Sequence, residues 1–366
     1  MAFDLESYLA GGVERMVRGI ARAAAKDPRT ARFMAEYALT SRRANRLRLD
    51  AAARGEHIPP FLIASITTRC NLHCKGCYAR ANHNCTDSAA AEAQLLSPDG
   101  WARIFDEAAE LGVAFILLAG GEPFMRPEVL HAAGRQRRII FPVFTNGTML
   151  SGTGLELIRE HPNLMPVLSI EGGTDVTDAR RGEGTYSALR RAMSALSDEA
   201  LPFGCSVTVQ KSNLHEVMGA DFVAELARRG CKVIIYVEYV PVDRATAEQA
   251  PGQAEREYMA AELSARRAEF PELLLVSFPG DEQTMGGCLA AGRGFFHINA
   301  YGGAEPCPFS AYSDTSLRDT SLREALASPL FVKLRECGAL EETHVGGCTL
   351  FAHEDAVKAL CTEGRA

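Results

Sequence analysis

Short apolar runs of strand length alternate with amphipathic stretches of helical length through the middle of the chain. Phe61–Thr67 is the first such run and predicts a buried strand, and Ser97–Leu111 begins at a Ser-Pro-Asp cap signal and predicts a helix. Further strands are predicted at Val113–Leu118, Ile139–Phe144, Met165–Ile170, Gly204–Gln210 and Lys232–Tyr239. Helices are predicted between them at Glu128–Gln136, Leu155–Glu160, Tyr186–Ser197 and Glu216–Arg229.

These six strand–helix units predict an α/β fold with a parallel sheet, because each crossover returns the chain in the same direction. Six units are too few for a closed eight-stranded barrel. We therefore expect an open, partial (β/α)6 barrel over residues 56–244. Polar residues at the C-terminal ends of its strands would line the active site.

The segments that flank this barrel differ from it in composition. Residues 1–55 are rich in Ala and Arg and predict two or three short helices, with apolar residues at helical spacing: Leu9, Val13, Met16 and Ile20. This pattern does not resemble a strand-rich, winged peptide-binding module. Residues 245–279 predict an exposed helical connection, and glycines and cysteines punctuate a smaller second domain over 280–366.

Composition and charge argue against several classes of function. The 366 residues include 39 basic and 46 acidic side chains, a net charge of -7 that gives no reason to expect binding to nucleic acid or an anionic membrane. No apolar run is long enough to span a bilayer, and no secretory signal is visible. We therefore expect a cytoplasmic protein without a membrane span.

The 11 cysteines need a separate explanation. In a reducing compartment structural disulfides are rare, and an odd number excludes a fully paired framework. Thiolate ligation of a metal is therefore predicted for the cysteines that occur in groups. The others are predicted to be plain thiols, namely Cys85, Cys205, Cys231 and Cys361.

Three cysteines, Cys70, Cys74 and Cys77, lie together directly after the first predicted strand. Iron–sulfur clusters are held by cysteine thiolates at such short spacings, and three ligands leave one iron of a cubane open to another molecule. A structural zinc ion is the alternative, but it normally takes four closed ligands. His73 could in principle be the fourth ligand, although it lies between two of the cysteines.

The pattern Cys-x-x-x-Cys-x-x-Cys, followed here by the aromatic Tyr78, resembles the signature of the radical S-adenosylmethionine (SAM) superfamily. The resemblance implies a [4Fe–4S] cluster whose open iron binds the amino and carboxylate groups of SAM. It further implies reductive cleavage of SAM to a 5'-deoxyadenosyl radical, which removes a hydrogen atom from the substrate. A flavodoxin- or ferredoxin-type protein would supply the electron.

A glycine-rich segment after the second predicted strand resembles the family's motif for the amino group of SAM: Gly120, Gly121, Glu122 and Pro123. Glycines let the backbone approach a ligand closely, and a nearby carboxylate favours an ammonium group. Such a segment alone is a weak signal. Its position one strand–helix unit after the cysteines makes it specific.

The next strand ends carry the other residues that the resemblance assigns to SAM. Asn146 follows the third strand, and Ser169 and Glu171 stand where the family has its ribose-binding Ser-x-Asp-Gly segment, with Glu in place of the more usual Asp. Arg181 begins an Arg-Gly-x-Gly segment but could equally be a surface arginine. Ser206 and Thr208 alternate on the fifth strand and could face the SAM carboxylate. Equally, they could be ordinary half-buried hydroxyl groups of a strand.

A second set of cysteines, Cys288, Cys307, Cys337 and Cys348, occupies the C-terminal segment. Its Gly-x-x-x-Cys element at Cys307, on a predicted hairpin, resembles the SPASM and Twitch auxiliary-cluster domains of the superfamily. The dense cysteine run that ends the larger SPASM type is absent, so the resemblance implies one auxiliary cluster. Cys337 lies in a predicted helix, Leu322–Cys337; without it the cluster would have an open iron. Structural zinc is the alternative for this site.

These features predict a radical SAM enzyme, although they identify no catalytic side chain. A small molecule or cofactor precursor is the favoured substrate class, because the N-terminal segment does not look like a leader-peptide-binding module. A maturase of ribosomally made peptides or proteins is the alternative. A non-enzymatic iron–sulfur or zinc scaffold is a remote one, and no basic stripe with interleaved aromatics supports a nucleic-acid partner.

Overall fold

A ten-stranded sheet forms the centre of the computed structural model, which describes residues 28–338, 340 and 346–363. The strands lie in the order β10-β9-β8-β1-β2-β3-β4-β5-β6-β7. Their bounds are β1 Phe61–Thr67, β2 Phe115–Gly120, β3 Phe141–Thr145, β4 Leu164–Ser169, β5 Gly204–Val209, β6 Val233–Glu238, β7 Leu274–Phe278, β8 His297–Ile298, β9 Gly303–Glu305 and β10 Thr315–Ser316.

Strands β1 to β7 follow one another in sequence order, and each neighbouring pair is parallel. This confirms the α/β fold with a parallel sheet. The sheet continues one strand further than the six predicted, because β7 pairs along β6 within the stretch assigned to a helical connection. The apolar run at β7 is short and follows a long polar helix. It is recognised as a strand by its pairing with β6.

Helices cover the sheet and connect its strands. Their bounds are α1 Pro28–Ala53, α2 Tyr78–Ala81, α3 Ala89–Glu92, α4 Pro98–Leu111, α5 Pro127–Arg135, α6 Thr153–Glu160, α7 Thr174–Arg181, α8 Thr185–Asp198, α9 Leu214–Val217, α10 Ala220–Arg228, α11 Gln253–Glu269, α12 Leu322–Leu326, α13 Pro329–Glu336, α14 Thr349–Ala352 and α15 Glu354–Glu363. Short 3₁₀ turns occupy Pro123–Met125, Arg244–Gln249 and Gly280–Met285. Among the described helices, none is both long enough and apolar enough to cross a bilayer.

Helix α1 closes the end of the sheet at which the strands begin. Its residues Phe33, Met34 and Tyr37 are buried against the first residues of several strands, including Val233. The Tyr37 hydroxyl donates a hydrogen bond of 2.9 Å to the carbonyl oxygen of Ala114, just before β2. With the N-terminal ends of the strands covered, their C-terminal ends remain as the open face.

Three sequence expectations about helices need correction. The stretch 28–53 is one helix of 26 residues rather than short ones, because no proline or glycine interrupts it after Pro28; Leu9, Val13, Met16 and Ile20 lie outside the described residues. The helix predicted over Leu322–Cys337 is two helices, α12 and α13. Ser328 separates them, because the residue before a proline avoids helical backbone angles, and its side chain caps α13. The helix predicted over Glu216–Arg229 is likewise split at Gly219.

The C-terminal segment joins the same sheet at its other edge. Strand β8 pairs in parallel with β1, with His297 opposite Ile63, and β9 pairs antiparallel with β8. The hairpin predicted before Cys307 is therefore present. Because β1 lies between β2 and β8, the loop that follows β1 lies where the barrel and the C-terminal segment meet.

Candidate active site and cysteine groups

The loop after β1 carries Cys70, Cys74 and Cys77, all half-buried, at the C-terminal end of the sheet. Two neighbouring elements hold it in place. The backbone N–H of Glu122 donates to the carbonyl oxygen of Arg69 at 2.7 Å, and the N–H of Lys75 donates to the carbonyl oxygen of Arg180 at 2.9 Å. The three thiols thus lie between the glycine-rich turn after β2 and the end of α7.

Gly120 and Gly121 allow the turn after β2 to approach this loop closely. A Cβ atom on Gly121 would lie 1.9 Å from the carbonyl oxygen of Arg69, which no side chain can tolerate. Gly120 has a φ of +126°, and a Cβ atom there would lie 2.4 Å from the carbonyl oxygen of Thr67. The two glycines are therefore required by packing of backbone against backbone.

Glu122 links the ends of β2 and β3 from a buried position. Its carboxylate accepts hydrogen bonds from the Thr145 hydroxyl at 2.8 Å, from the N–H of Asn146 at 2.8 Å and from the N–H of Phe124 at 3.1 Å. Burial raises the pKa of Glu122 to about 7, and these hydrogen bonds oppose the rise. The Asn146 amide in turn donates to the side-chain oxygen of Asn71 in the cysteine loop, at 2.8 Å.

Glu171 is the centre of a buried charged group. One of its oxygens accepts from Arg180 at 2.6 Å and from two nitrogens of Arg181, at 2.8 and 2.5 Å. The other oxygen accepts from the N–H of Thr208 at 3.1 Å. Arg181 also lies 4.0 Å from the sulfur of Cys74. With both carboxylate oxygens occupied inside the protein, Glu171 positions Arg181 beside the cysteine loop, and its contact with a ribose remains a prediction.

The other residues assigned to SAM lie along the same face of the sheet. Ser169 and Ser206 are register partners on β4 and β5; Ser169 is half-buried and Ser206 is buried, and Thr208 lies further along β5. Tyr78 begins α2, and its ring packs edge-on against that of Phe309 at a centroid distance of 5.0 Å. Burial raises the pKa of Tyr78, and the charges of Cys77 and Cys307 raise it further. Tyr78 therefore lies between the two groups of cysteines.

Cys85, interpreted from the sequence as a plain thiol, lies against Cys70. It is buried, and the hydrogen bond between the two sulfurs lowers the pKa of Cys70 to about 6. The backbone brings it there because the chain returns from α2, where the N–H of Cys85 donates to the carbonyl oxygen of Ala79 at 2.8 Å. Cys85 stands outside the spacing of the motif, so the sequence offers no local signal for this contact.

Three of the four C-terminal cysteines come together. Cys288 and Cys307 are buried and Cys348 is half-buried. Burial raises the pKa of all three thiols, that of Cys348 to about 12, and their mutual charges add to the rise for Cys288 and Cys307. Cys337 is not part of this group: it is exposed at the end of α13, where its thiol donates to the carbonyl oxygen of Leu334 at 3.5 Å.

The turn that carries Cys348 is held by the end of β6. One oxygen of Glu238 accepts from the N–H of Gly347 at 2.9 Å, and the other accepts from Arg256 at 2.7 Å. Gly346 and Gly347 have φ values of +72° and +83°, which the tight turn requires. This contact fixes the third cysteine of the group from a strand of the barrel.

A buried carboxylate that the sequence reasoning missed, Glu282, belongs to the same group. Its Oε1 accepts from the N–H of Leu289, the residue after Cys288, at 3.1 Å. Burial raises the pKa of Glu282 to about 7. Its position six residues before Cys288 is the sequence signal that it carries.

Comparison of the sequence with known proteins identifies relatives of this chain. Residues 64–238 match the family model described as the radical SAM superfamily. An AdoMet-dependent heme synthase of Methanosarcina barkeri is 28% identical over 333 residues, covering 80% of this chain and 92% of that protein. A PqqA peptide cyclase of Granulibacter bethesdensis is 27% identical and covers 76% of each chain.

Two further matches are more limited. An Fe-coproporphyrin III synthase of Methanosarcina barkeri is 30% identical over 161 residues, covering 43% of this chain, which spans only 39% of that protein. The crystal structure of Streptococcus suis SuiB bound to S-adenosylmethionine superposes with a TM-score of 0.65 at 16% identity, covering 82% of this chain and 75% of that one. At that identity, the match shows that the two proteins share a fold.

Proposed function

The chain belongs to the radical SAM superfamily, whose enzymes use a [4Fe–4S] cluster and SAM, and we propose that Cys70, Cys74 and Cys77 hold this cluster. One observation carries the proposal. The loop with the three thiols is held at the C-terminal end of the sheet by a close backbone contact at Gly121, where no side chain fits. When bound, the reduced cluster supplies the electron that cleaves SAM to the radical that removes hydrogen from the substrate.

The residues around the three thiols fit such a cluster. Thiolates bound to iron carry negative charge, and the guanidinium of Arg181 lies 4.0 Å from the sulfur of Cys74. Glu171 holds that guanidinium in place with a buried, two-nitrogen contact. Arg181 would therefore stabilise the loaded site through charge.

SAM would lie across the strand ends next to this loop. Under this proposal the backbone of Gly120–Pro123 receives the amino group, and Glu122 fixes the distance between the ends of β2 and β3. Asn146, Ser169, Ser206 and Thr208 offer neutral hydrogen-bonding groups on the next three strands. These side chains would orient SAM without adding charge.

The second group, Cys288, Cys307 and Cys348, would hold one auxiliary iron–sulfur cluster of the SPASM or Twitch type. The buried thiols raise one another's pKa, so a bound cationic centre is needed to keep them as thiolates. Tyr78 and Phe309 lie between the two groups and would separate the clusters with packed aromatic rings. Cys337 is left out of this assignment because it is exposed elsewhere.

A small molecule or cofactor precursor is the proposed substrate class. The similarity to a heme synthase covers 80% of this chain and 92% of that protein. A peptide or protein substrate is the second candidate, supported by the similarity to a PqqA peptide cyclase. A short peptide precursor encoded beside this gene would favour the second candidate.

The cysteines also bear on the compartment in which the reaction takes place. All 11 cysteines lie in the described part of the chain, and none forms a disulfide. Free thiols are usual in a reducing compartment, and we propose the cytoplasm. An electron donor of the flavodoxin or ferredoxin type is proposed because the cleavage of SAM consumes one electron. Exposure to air should inactivate the enzyme, because a cubane with an open iron is readily oxidised.

The proposed function is tested by reconstituting the protein anaerobically and adding SAM with a reductant. We expect formation of 5'-deoxyadenosine, and we expect the Cys70→Ala/Cys74→Ala/Cys77→Ala variant to form none while still binding iron at the second group. Wild-type protein that holds iron but forms no 5'-deoxyadenosine above background would contradict the proposal. Candidate substrates are then compared by how much they increase this product.

A further inference from the structure

Glu282 faces the second cysteine group from the 3₁₀ turn Gly280–Met285. Only 2% of its surface is exposed. Among the residues that the structure describes, no nitrogen of a lysine, arginine or histidine lies within 4.0 Å of its carboxylate. A buried carboxylate without an ion-pair partner is unusual, because burying a charge is costly unless the charge is paired or binds a metal.

The charge of Arg293 acts on Glu282, but its guanidinium donates its hydrogen bonds to backbone carbonyl oxygens. The guanidinium of Arg293 donates to the carbonyl oxygens of Cys288 at 2.6 Å, Leu340 at 3.0 Å and Gly286 at 3.1 Å. Glu238, the other carboxylate close to Cys348, differs in this respect, because it is paired with Arg256 at 2.7 Å. Glu282 differs from Glu238 because no such partner lies among the residues that the structure covers.

Glu282 lies against the second cysteine group. Its Oε1 accepts from the N–H of Leu289, the residue after Cys288, at 3.1 Å, and its backbone carbonyl oxygen accepts from the N–H of Gly287, the residue before Cys288, at 3.1 Å. Glu282, Cys288 and Cys307 are buried and Cys348 is half-buried, and the charge of Glu282 also acts on all three thiols. A carboxylate and three thiols in a buried place are donors that a metal centre can use.

We infer that Glu282 is the fourth ligand of the auxiliary cluster, which would be held by Cys288, Cys307, Cys348 and the carboxylate of Glu282. This inference rests on the proposed function, in which the three cysteines hold that cluster. On loading, the three thiols and the carboxyl group lose their protons and each donates to one iron. The cluster then has no open iron, so its role is to transfer electrons rather than to bind the substrate.

The test uses the full-length Cys70→Ala/Cys74→Ala/Cys77→Ala variant as the parent, so that only the auxiliary site is loaded. Glu282→Gln keeps the shape of the side chain and the hydrogen bond from Leu289 but removes the anionic ligand. Cys337→Ala, which removes the exposed thiol outside the group, is the control. Iron and sulfide are measured per chain, and the reduced and oxidised clusters are examined by electron paramagnetic resonance.

We expect the parent and the Cys337→Ala control to keep about four iron atoms per chain. The Glu282→Gln variant should fall to about three after mild oxidation and show the signal of a three-iron cluster. A second measurement needs no variant at Glu282: in the parent labelled with carboxyl-13C glutamate, the reduced cluster should show 13C hyperfine coupling from a bound carboxylate.

The outcomes separate the two proposals. A parent that binds no iron overturns the auxiliary cluster and the ligand together. A parent with a full cluster but no 13C coupling, and with a spectrum unchanged by Glu282→Gln, overturns the ligand alone. Loss of iron on Cys337→Ala, with Glu282→Gln unaffected, would assign the fourth position to Cys337 instead.

Discussion

At the scale of single residues, the buried carboxylates around the cysteines fall into two kinds. Glu171 and Glu238 are paired with arginines, and each holds a loop or turn in place. Glu122 and Glu282 have no arginine partner in the described part of the chain, and they accept hydrogen bonds mainly from backbone N–H groups. The paired carboxylates hold the structure together, whereas the unpaired ones are able to interact with a cation that binds nearby.

The separation of Cys337 from the other C-terminal cysteines gives a direct test at this scale. We expect Cys348→Ala to lose the iron of the auxiliary site, because that sulfur lies in the buried group, and Cys337→Ala to keep it. Iron per chain after anaerobic reconstitution measures both. Equal losses in the two variants would show that the exposed cysteine moves into the site on loading.

Removing the charge of Glu171 should destabilise the protein strongly. Glu171→Gln leaves two guanidinium groups buried beside a neutral amide, and breaking a buried ion pair costs about 3–5 kcal/mol. Chemical denaturation of the cluster-free protein measures the change. Glu199→Gln, which removes the exposed partner of Arg159, is the control and should have a much smaller effect; equal effects would contradict the assigned role.

At the scale of elements, the site depends on turns that leave no room for side chains. The turn after β2 contacts the cysteine loop through the backbone at Gly121, and the end of α7 contacts it from the other side at Arg180. These contacts join the regions that follow β1, β2 and β4 at the C-terminal end of the sheet. A change in one of these turns should therefore displace the whole cysteine loop.

Replacing Gly121 by Ala should displace the cysteine loop, since the new Cβ atom would lie 1.9 Å from the carbonyl oxygen of Arg69. We expect a loss of stability of at least about 1–3 kcal/mol and weaker binding of both iron and SAM. Iron analysis and calorimetric titration with SAM measure the effect. Gly173→Ala is the matched control, because the nearest atom to its Cβ, at 3.3 Å, is the mobile end of Glu216.

The contact between α5 and α6 should make stability depend on pH. Burial lowers the pKa of His161, whose Nε2 lies 3.0 Å from Nδ1 of His131. An unfolded histidine binds a proton near pH 6.5, while the folded protein resists it, so stability should fall as the pH drops below about 6.5. Denaturation of the cluster-free protein between neutral and mildly acidic pH measures this slope. His161→Asn should reduce the slope, and an unchanged slope would exclude His161 as its source.

At the scale of the whole molecule, the sheet joins the barrel to the C-terminal segment. His297 on β8 is fully buried; its Nε2 lies 2.8 Å from the hydroxyl of Ser65 on β1, and its Nδ1 lies 2.7 Å from Glu305 on β9. Asn299 donates to the other oxygen of Glu305 at 2.6 Å. This polar chain ties the hairpin before Cys307 to the strand before Cys70, so the two cysteine groups share one support.

His297→Phe should loosen this connection, because it leaves the hydroxyl of Ser65 and a carboxylate oxygen of Glu305 buried without their partner. We expect a cost of about 1–3 kcal/mol for each unsatisfied group and reduced iron at the auxiliary site. Denaturation and iron analysis of the variant measure both. A variant that keeps full stability and iron would show that the pairing of β8 with β1 does not depend on this chain of hydrogen bonds.

Local pattern alone was enough to predict the parts of this protein that lie close together in sequence. The bounds of β1, the cap of α4, the three-cysteine loop and the glycine turn after β2 all follow from spacing and from the preferences of individual residues. Each of these features depends on contacts within a few residues or on the next strand of a parallel sheet. Such contacts leave a signal in the sequence.

The tertiary structure decided the features that depend on how the sheet is completed. It added β7 next to β6, paired β8 with β1, placed Cys85 against Cys70, excluded Cys337 from the second group and brought Glu282 into it. These contacts join residues whose spacing follows no motif. Their positions are determined by the packing of whole strands and helices against one another, so they become visible only when the chain is folded.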